Sequence, residues 1–201
     1  MTTIVGIQGH NYAVIGSDSR IVQTDDNSWG QISTLSTNHS KVARIRQYLI
    51  GVAGDVRAIN LLHYGWTPPK ANPRHTRREL DTFVTREVIP GIREVFDNHG
   101  YSTKTDETGA TQNSMIMLAI NNTIYVIDSS YAWATDNLGL YAIGTGAPYA
   151  LGALNTLPPA QTPKQAQQHA KTALTIASKY DPHTGPPHKT HTQQNQPEQK
   201  N

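Results

Sequence analysis

The chain begins as a strand. Thr2-Thr3-Ile4-Val5-Gly6-Ile7 follows the initiator methionine directly, and Tyr12-Ala13-Val14-Ile15-Gly16-Ser17-Asp18-Ser19-Arg20 comes after a turn at His10-Asn11. Chain ends are usually frayed and polar, so a β-branched stretch at the very start constrains the fold strongly. Thr3, Val5 and Ile7 fall on one side, and Thr2, Ile4 and Gly6 on the other. A strand apolar on both sides has to be covered on both, which places the start of the chain inside a layered structure. That placement also has a chemical use. Once Met1 is removed, Thr2 carries a hydroxyl nucleophile and a basic α-amine on one residue, the N-terminal-threonine form of nucleophilic catalysis.

The rest of the pattern supplies the layers. Residues 41–45 and 48–54 read as a second strand pair. Asp55 caps a helix with Val56, Ile59 and Leu62 on its inner face, stopped by Gly65 and Pro68-Pro69. A longer helix over 76–98 buries Leu80, Phe83, Val84, Val88, Ile92, Val95 and Phe96, with a kink or break at Pro90-Gly91. Residues 21–38 read as a polar loop with a short strand near 32–35, and 101–112 as a second polar loop. Strands are expected at 113–120, 123–128 and 138–143, and a short helix around 148–154. A helix capped by Thr162 opens at Pro163, runs to about Tyr180 and carries an alanine stripe. Beyond Asp181 apolar residues vanish, so residues 1–185 are expected to form one domain and 186–201 a disordered polar tail. This order of strands and helices implies an α+β fold, with sheets covered by helices.

Composition excludes several classes of function. The absence of cysteine removes disulfides, thiolate metal sites and a cysteine nucleophile, and it fits a cytoplasmic protein. The formal charge is +2, and basic residues sit beside acids, as in Arg77-Arg78-Glu79, Arg86-Glu87 and Arg93-Glu94. That is a solvated face and not a nucleic-acid footprint. No basic leader followed by an apolar run opens the chain, and no apolar run approaches the roughly 20 residues a membrane span needs. His183, His188 and His191 are spaced as metal ligands can be, but in a polar tail they read as unliganded.

Five segments in order carry a resemblance: Thr2-Thr3-Ile4-Val5-Gly6-Ile7, Ser17-Asp18-Ser19-Arg20, Lys41, Gly51-Val52-Ala53-Gly54-Asp55, and Ala142-Ile143-Gly144-Thr145-Gly146-Ala147-Pro148-Tyr149. Together they resemble the proteasome β subunits, the HslV peptidase and the Anbu-type β-like proteins, over roughly residues 2 to 185. The resemblance implies a four-layer αββα sandwich of the N-terminal-nucleophile hydrolase type. It implies Thr2 as nucleophile, Lys41 beside its hydroxyl, and Asp18 pairing with that lysine. Standing alone, Lys41 and Asp18 would read as exposed strand-end charges. It further implies Gly51 as the residue whose N–H faces the oxyanion. Thr145, where the family usually has serine, would orient the α-amine with the support of Asp181 and Thr184. Ile21, Leu49 and Ala53 would line the specificity pocket, so cleavage after apolar or small side chains is expected.

No cofactor is required on this resemblance. A structural monovalent or divalent cation would be held near Ser178, Asp181 and Thr184 by backbone carbonyls. The implied activity is that of a threonine endopeptidase acting on unfolded polypeptide inside a homo-oligomeric ring fed by an ATP-dependent unfoldase. The alternatives are a non-catalytic ring-forming or assembly protein, and an amidohydrolase of small amides on the same fold. One departure concerns the end of the chain. The family continues past the Asp-x-x-Ser element into further strands, and here Pro186-Pro187 and the polar tail follow. A shorter sheet, or an edge covered by a neighbouring subunit, is therefore expected.

Overall fold

A computed structural model describes residues 2–23, 31–36, 38–105 and 109–194. Met1 and the last residues of the expected tail, 195–201, lie outside them, as do parts of both expected loops. Strands β1 (Thr3–Gln8), β2 (Tyr12–Ser17), β3 (Arg20–Gln23), β4 (Gln31–Thr34), β5 (Val42–Ile45) and β6 (Tyr48–Ala53) lead into α1 (Val56–Asn60). Helices α2 (Arg77–Phe83) and α3 (Ile89–Asn98) precede β7 (Thr103–Thr105), β8 (Gly109–Thr111), β9 (Met115–Ile120), β10 (Thr123–Ile127), β11 (Trp133–Ala134) and β12 (Leu140–Gly144). Then come α4 (Ala147–Thr156), α5 (Pro163–Tyr180) and β13 (Lys189–Gln194).

The first strand is interior to its sheet. The order is β12-β1-β2-β13, beside a five-stranded sheet ordered β11-β10-β9-β6-β5 and two-stranded ribbons β3-β4 and β7-β8. Period-two alternation divides the side chains of β1 between two cores. Ile4, with Ala13, Ile15, Tyr141 and Ile143, packs against Val42, Leu49, Ala53, Met117, Ala119 and Ile124 of the other sheet. Val5 and Ile7, with Tyr12 and Val14, meet Ala150 and Leu154 of α4 and the alanine stripe of α5. The far face of the five-stranded sheet, Tyr48, Ile50, Val52, Ile116 and Leu118 among it, packs on Leu62, Leu80, Val84, Val88, Ile92 and Phe96. Alanine is needed on α5 because Gly16 lets the helix come close: a Cβ on Gly16 would lie 3.3 Å from both Ala170 and Leu174. No described helix is long and apolar enough to cross a membrane.

Helix starts follow the local chemistry. The Asp55 and Thr162 side chains accept the Arg57 and Gln165 N–H groups, and Thr76 forms a reciprocal capping box with Glu79. The expected break at Pro90-Gly91 takes another form. A π-helical turn, Val84–Val88, joins α2 to α3. Pro90 has no N–H for the carbonyl four residues earlier, and the widened turn just before it absorbs that mismatch. The two polar loops also hold the short ribbons β3-β4 and β7-β8.

The tail needs a larger correction. Lys189–Gln194 is not disordered; it pairs antiparallel with β2 from Lys189 opposite Ser17 to Gln194 opposite Tyr12. The chain therefore covers its own sheet edge. A composition argument counts only apolar burial, and β13 has none to offer. It is held by ladder bonds and polar side chains instead. The Gln193 amide donates to the Gln47 and Ala119 carbonyls and accepts from the Asn122 N–H at 2.7 Å, while Gln167 donates to Thr192 Oγ1 at 2.9 Å and Arg44 to the Thr192 carbonyl.

The close approach of α5 to β2 sets a packing test. Ala170→Leu should overpack this contact and cost about 1–3 kcal/mol, read as a fall in Tm in thermal denaturation, whereas Lys171→Leu on the exposed side should leave Tm nearly unchanged.

Candidate active site

The end of β2 delivers a carboxylate into the protein. Asp18 is fully buried, and both its oxygens are occupied. Oδ1 accepts from Lys41 Nζ at 2.8 Å and from the Thr3 N–H at 3.0 Å; Oδ2 accepts from the Arg20 N–H at 2.9 Å and the Gly185 N–H at 3.2 Å. Lys41 lies just before β5, 1% exposed, and donates also to the Arg20 carbonyl at 2.5 Å. Burial drives the lysine pKa below its ordinary value. Attraction and hydrogen bonding from Asp18 oppose that shift without cancelling it.

Thr2 and Thr3 have different surroundings. The Thr2 carbonyl accepts the Thr145 N–H at 3.0 Å, and the Thr3 carbonyl accepts the Asp18 N–H at 3.2 Å. Gly144 makes the first contact possible: its φ is +92°, and a Cβ there would lie 1.8 Å from the Thr2 carbonyl oxygen. The Thr3 hydroxyl lies 2.5 Å from Thr184 Oγ1. The Thr2 side chain is buried and takes no hydrogen-bond partner among the described residues. Of the two threonines, only Thr2 has an uncommitted hydroxyl.

A second carboxylate holds the other side. Asp181 Oδ2 accepts the hydroxyls of Thr145 at 2.8 Å and Thr184 at 2.6 Å, and Oδ1 accepts the His183 N–H at 3.1 Å. Burial pushes this carboxyl pKa up, but the bonds from Thr184, Thr145 and His183 together outweigh it, so the group sits below its ordinary value. Thr2 is thus bracketed by Asp18 and Lys41 through its neighbour's N–H, and by Thr145, Asp181 and Thr184 through its own carbonyl and the Thr3 hydroxyl.

The other expected residues divide. Ala53 lies at the site, its methyl 3.3 Å from where a Cβ of Gly144 would stand. Ile21 lies on β3, beside the Arg20 carbonyl that holds Lys41, and is partly exposed. Leu49 has to be corrected: it is fully buried in the core between the sheets and lines no open pocket. So does Gly51. It pairs with Val42 on one side and Met117 on the other, in the interior of the sheet. The Val52 N–H points to the Lys41 carbonyl. Strand alternation then aims the Gly51 N–H at β9 and away from any substrate.

Sequence reasoning missed Gly54, at the end of the same strand. Its φ is +141°, and a Cβ would lie 2.6 Å from Ser114 Oγ and 2.7 Å from the Asn113 carbonyl. It follows Ala53, and its N–H has no partner among the described residues. The available signal was the second glycine of Gly51-Val52-Ala53-Gly54, placed just before the capping Asp55. The cation expected near Ser178, Asp181 and Thr184 would be held by their backbone carbonyls, while their side chains are engaged with the protein. The Ser178 hydroxyl donates to the Leu174 carbonyl and meets His188, the Asp181 carbonyl accepts the Thr184 N–H, and the Asp181 carboxylate is satisfied as above.

No family model and no curated protein matches the chain. Solved structures do. BPH from Thiobacillus denitrificans in complex with epoxomicin aligns with a TM-score of 0.72 at 17% identity, over 97% of this chain and 100% of that one. Eukaryotic HslV from Trypanosoma brucei aligns at 0.64 and 19% identity, over 96% and 99%. The chain has an HslV-type fold. At this identity the likeness fixes the fold, and the chemistry has to be argued from the residues above.

The buried ion pair carries a stability test. Asp18→Ala should leave the Lys41 ammonium unpaired and cost about 3–5 kcal/mol, read by urea unfolding at pH 7. Replacing both partners, Asp18→Asn with Lys41→Met, should recover much of that loss. A single variant within 1 kcal/mol of the parent would mean that the pair does not organise this corner.

Proposed function

We propose that this chain is a threonine peptidase of the proteasome β/HslV class, acting by acyl transfer to Thr2 once Met1 is removed. One observation carries the reading: Thr2, its hydroxyl without a partner among the described residues, is tied by its carbonyl to Thr145 of the Thr145–Asp181–Thr184 network and by the next N–H to the Asp18–Lys41 pair. In this mechanism the Thr2 hydroxyl attacks the scissile carbonyl, and its proton passes to its own α-amine through a water. The Lys41 ammonium stabilises the developing alkoxide and lowers the pKa of the amine by like-charge repulsion. Asp18 keeps that lysine in place. Thr145, steadied by Asp181 and Thr184, orients the amine. The Gly54 N–H replaces Gly51 as the proposed donor to the oxyanion. The leaving amine takes the proton, and water then hydrolyses the ester on Thr2.

The finer descriptions belong to the same proposal. Three separate apolar cores, helix to sheet, sheet to sheet and sheet to helix, support a four-layer αββα sandwich. A homo-oligomeric ring, unfolded polypeptide as substrate, an ATP-dependent unfoldase as partner and a cytoplasmic setting rest on the likeness to HslV.

The decisive experiment is an intact mass spectrum of untagged protein, with and without a peptide epoxyketone, the reagent class of the epoxomicin bound to BPH. The expected result is loss of Met1 and one adduct per chain, absent in Thr2→Ala and slowed at least tenfold in Lys41→Ala. Retained Met1, or a free Thr2 that takes no adduct, would favour the non-catalytic ring protein. The adduct rate should also rise with pH as the amine deprotonates. It should fall again as Lys41 loses its proton, at a pH below that of an ordinary lysine because burial lowers its pKa.

A further inference from the structure

Strand β13 closes the open side between the two sheets. It pairs with β2 of one sheet, and Gln193 reaches the Gln47 and Ala119 carbonyls of the other. We propose that β13 is an acid-released strap, with His191 as the group that releases it. Four observations carry this.

The strap has no apolar side chain to bury, so polar bonds are what hold it: Arg44 on the Thr192 carbonyl, Gln167 on Thr192 Oγ1, and Lys189 on the Ser36 and His39 carbonyls. The strands β1 and β2 of the same sheet are instead fixed by two apolar cores. Local opening starts where apolar contact is least. This is that place in the four-stranded sheet.

His191 stands opposite Ile15 of β2 and is partly buried. Its nearest polar partner is Ser40 Oγ, 3.5 Å from Nε2. The charged or titratable groups that face it are Arg44 from β5, Lys189 from its own strand and His63 from the turn after α1, all cationic when charged. A proton on His191 is therefore opposed by burial and by the Arg44 and Lys189 cations, which hold its pKa below the ordinary imidazole value, while His63, its own pKa lowered by burial to about 4, stays neutral in this range. Released, the ring returns to water and to about 6.5. The open strand then binds the proton more tightly than the closed one. Closure is fully favoured above about pH 6.5 and weakens as pH falls below it.

The strap is also tied to the buried corner. Just before it, the Gly185 N–H donates to Asp18, the Ser19 N–H to the Gly185 carbonyl, and the Ser19 hydroxyl to the Pro187 carbonyl at 2.6 Å. Release of β13 frees the far end of the segment that makes these bonds. Control of catalysis by this route rests on the peptidase reading; release of the strap does not.

The test is hydrogen exchange on the full chain, measured by mass spectrometry and corrected for the intrinsic pH dependence of exchange. Residues 189–194 should lose severalfold of their protection between pH 7 and pH 5, while Thr3–Gln8 keep theirs. His191→Gln, which cannot charge, should hold its protection across the same range. Unchanged protection in the parent, or the same loss in His191→Gln, would overturn the proposal. Should that variant not fold, NMR titration of the parent His191 ring decides. Titration below 6.5 in step with strand loss supports the strap, and titration while the strand stays protected overturns it. No catalytic activity enters the readout, so an inert Thr2 would leave this test intact.

Discussion

One buried carboxylate gathers distant parts of the chain. Asp18 accepts from β1, from the start of β3, from the lysine ahead of β5 and from the segment beyond α5. An ionised carboxylate in the interior is costly to strip of water, and it persists only when every lone pair has a donor. The converse also holds: each of these donors is where it is because the charge is there. Lys41 has the same dependence in reverse, since an ammonium 1% exposed is tolerable only beside its counter-ion. The geometry around Thr2 and Thr3 follows from this pair, and the Asp181 network closes on it from the other side through hydroxyls.

Much of the frame was legible in the residues. The alternation in Thr3–Gln8 placed it between two covers, and it lies between two cores. Thr76 with Glu79 and Thr162 with Pro163 marked helix starts by chemistry that acts within four residues, and the alanines of α5 marked a close approach. These signals are local, so a sequence carries them whole. The contact of Lys41 with Asp18 spans 23 positions, and nothing in either neighbourhood announces it; it came into view only through the resemblance.

What was misread has a common cause. Gly51 and Gly54 are alike as letters, and they differ in which side of a strand their N–H faces and in where the ladder ends. Both depend on the partner strands. Leu49 shares a face with Ala53, but it sits deeper along that face, under the other sheet. β13 is the clearest case: its hydrophilic side chains argue against order only if burial of apolar surface is the sole source of it. An edge strand beside β2 gains ladder bonds along its whole length on that side, and Gln193 adds three contacts to backbone groups of the neighbouring sheet.

The interior position of β1 bears on how such a molecule comes into being. Its partner on one side, β2, is made immediately after it, whereas its partner on the other, β12, is separated from it by more than half of the chain. The pairing of β1 with β12 therefore has to wait until residues 140–144 have been made. Contacts of such sequence separation make folding slow relative to local pairing. They also mean that Thr2 meets Thr145, and that the Asp18 corner is sealed through Gly185, only after these later segments have been made. A chain that lacks β12 or the segment around Gly185 is in this way denied a finished buried corner, so the order of synthesis itself sets when that corner can close.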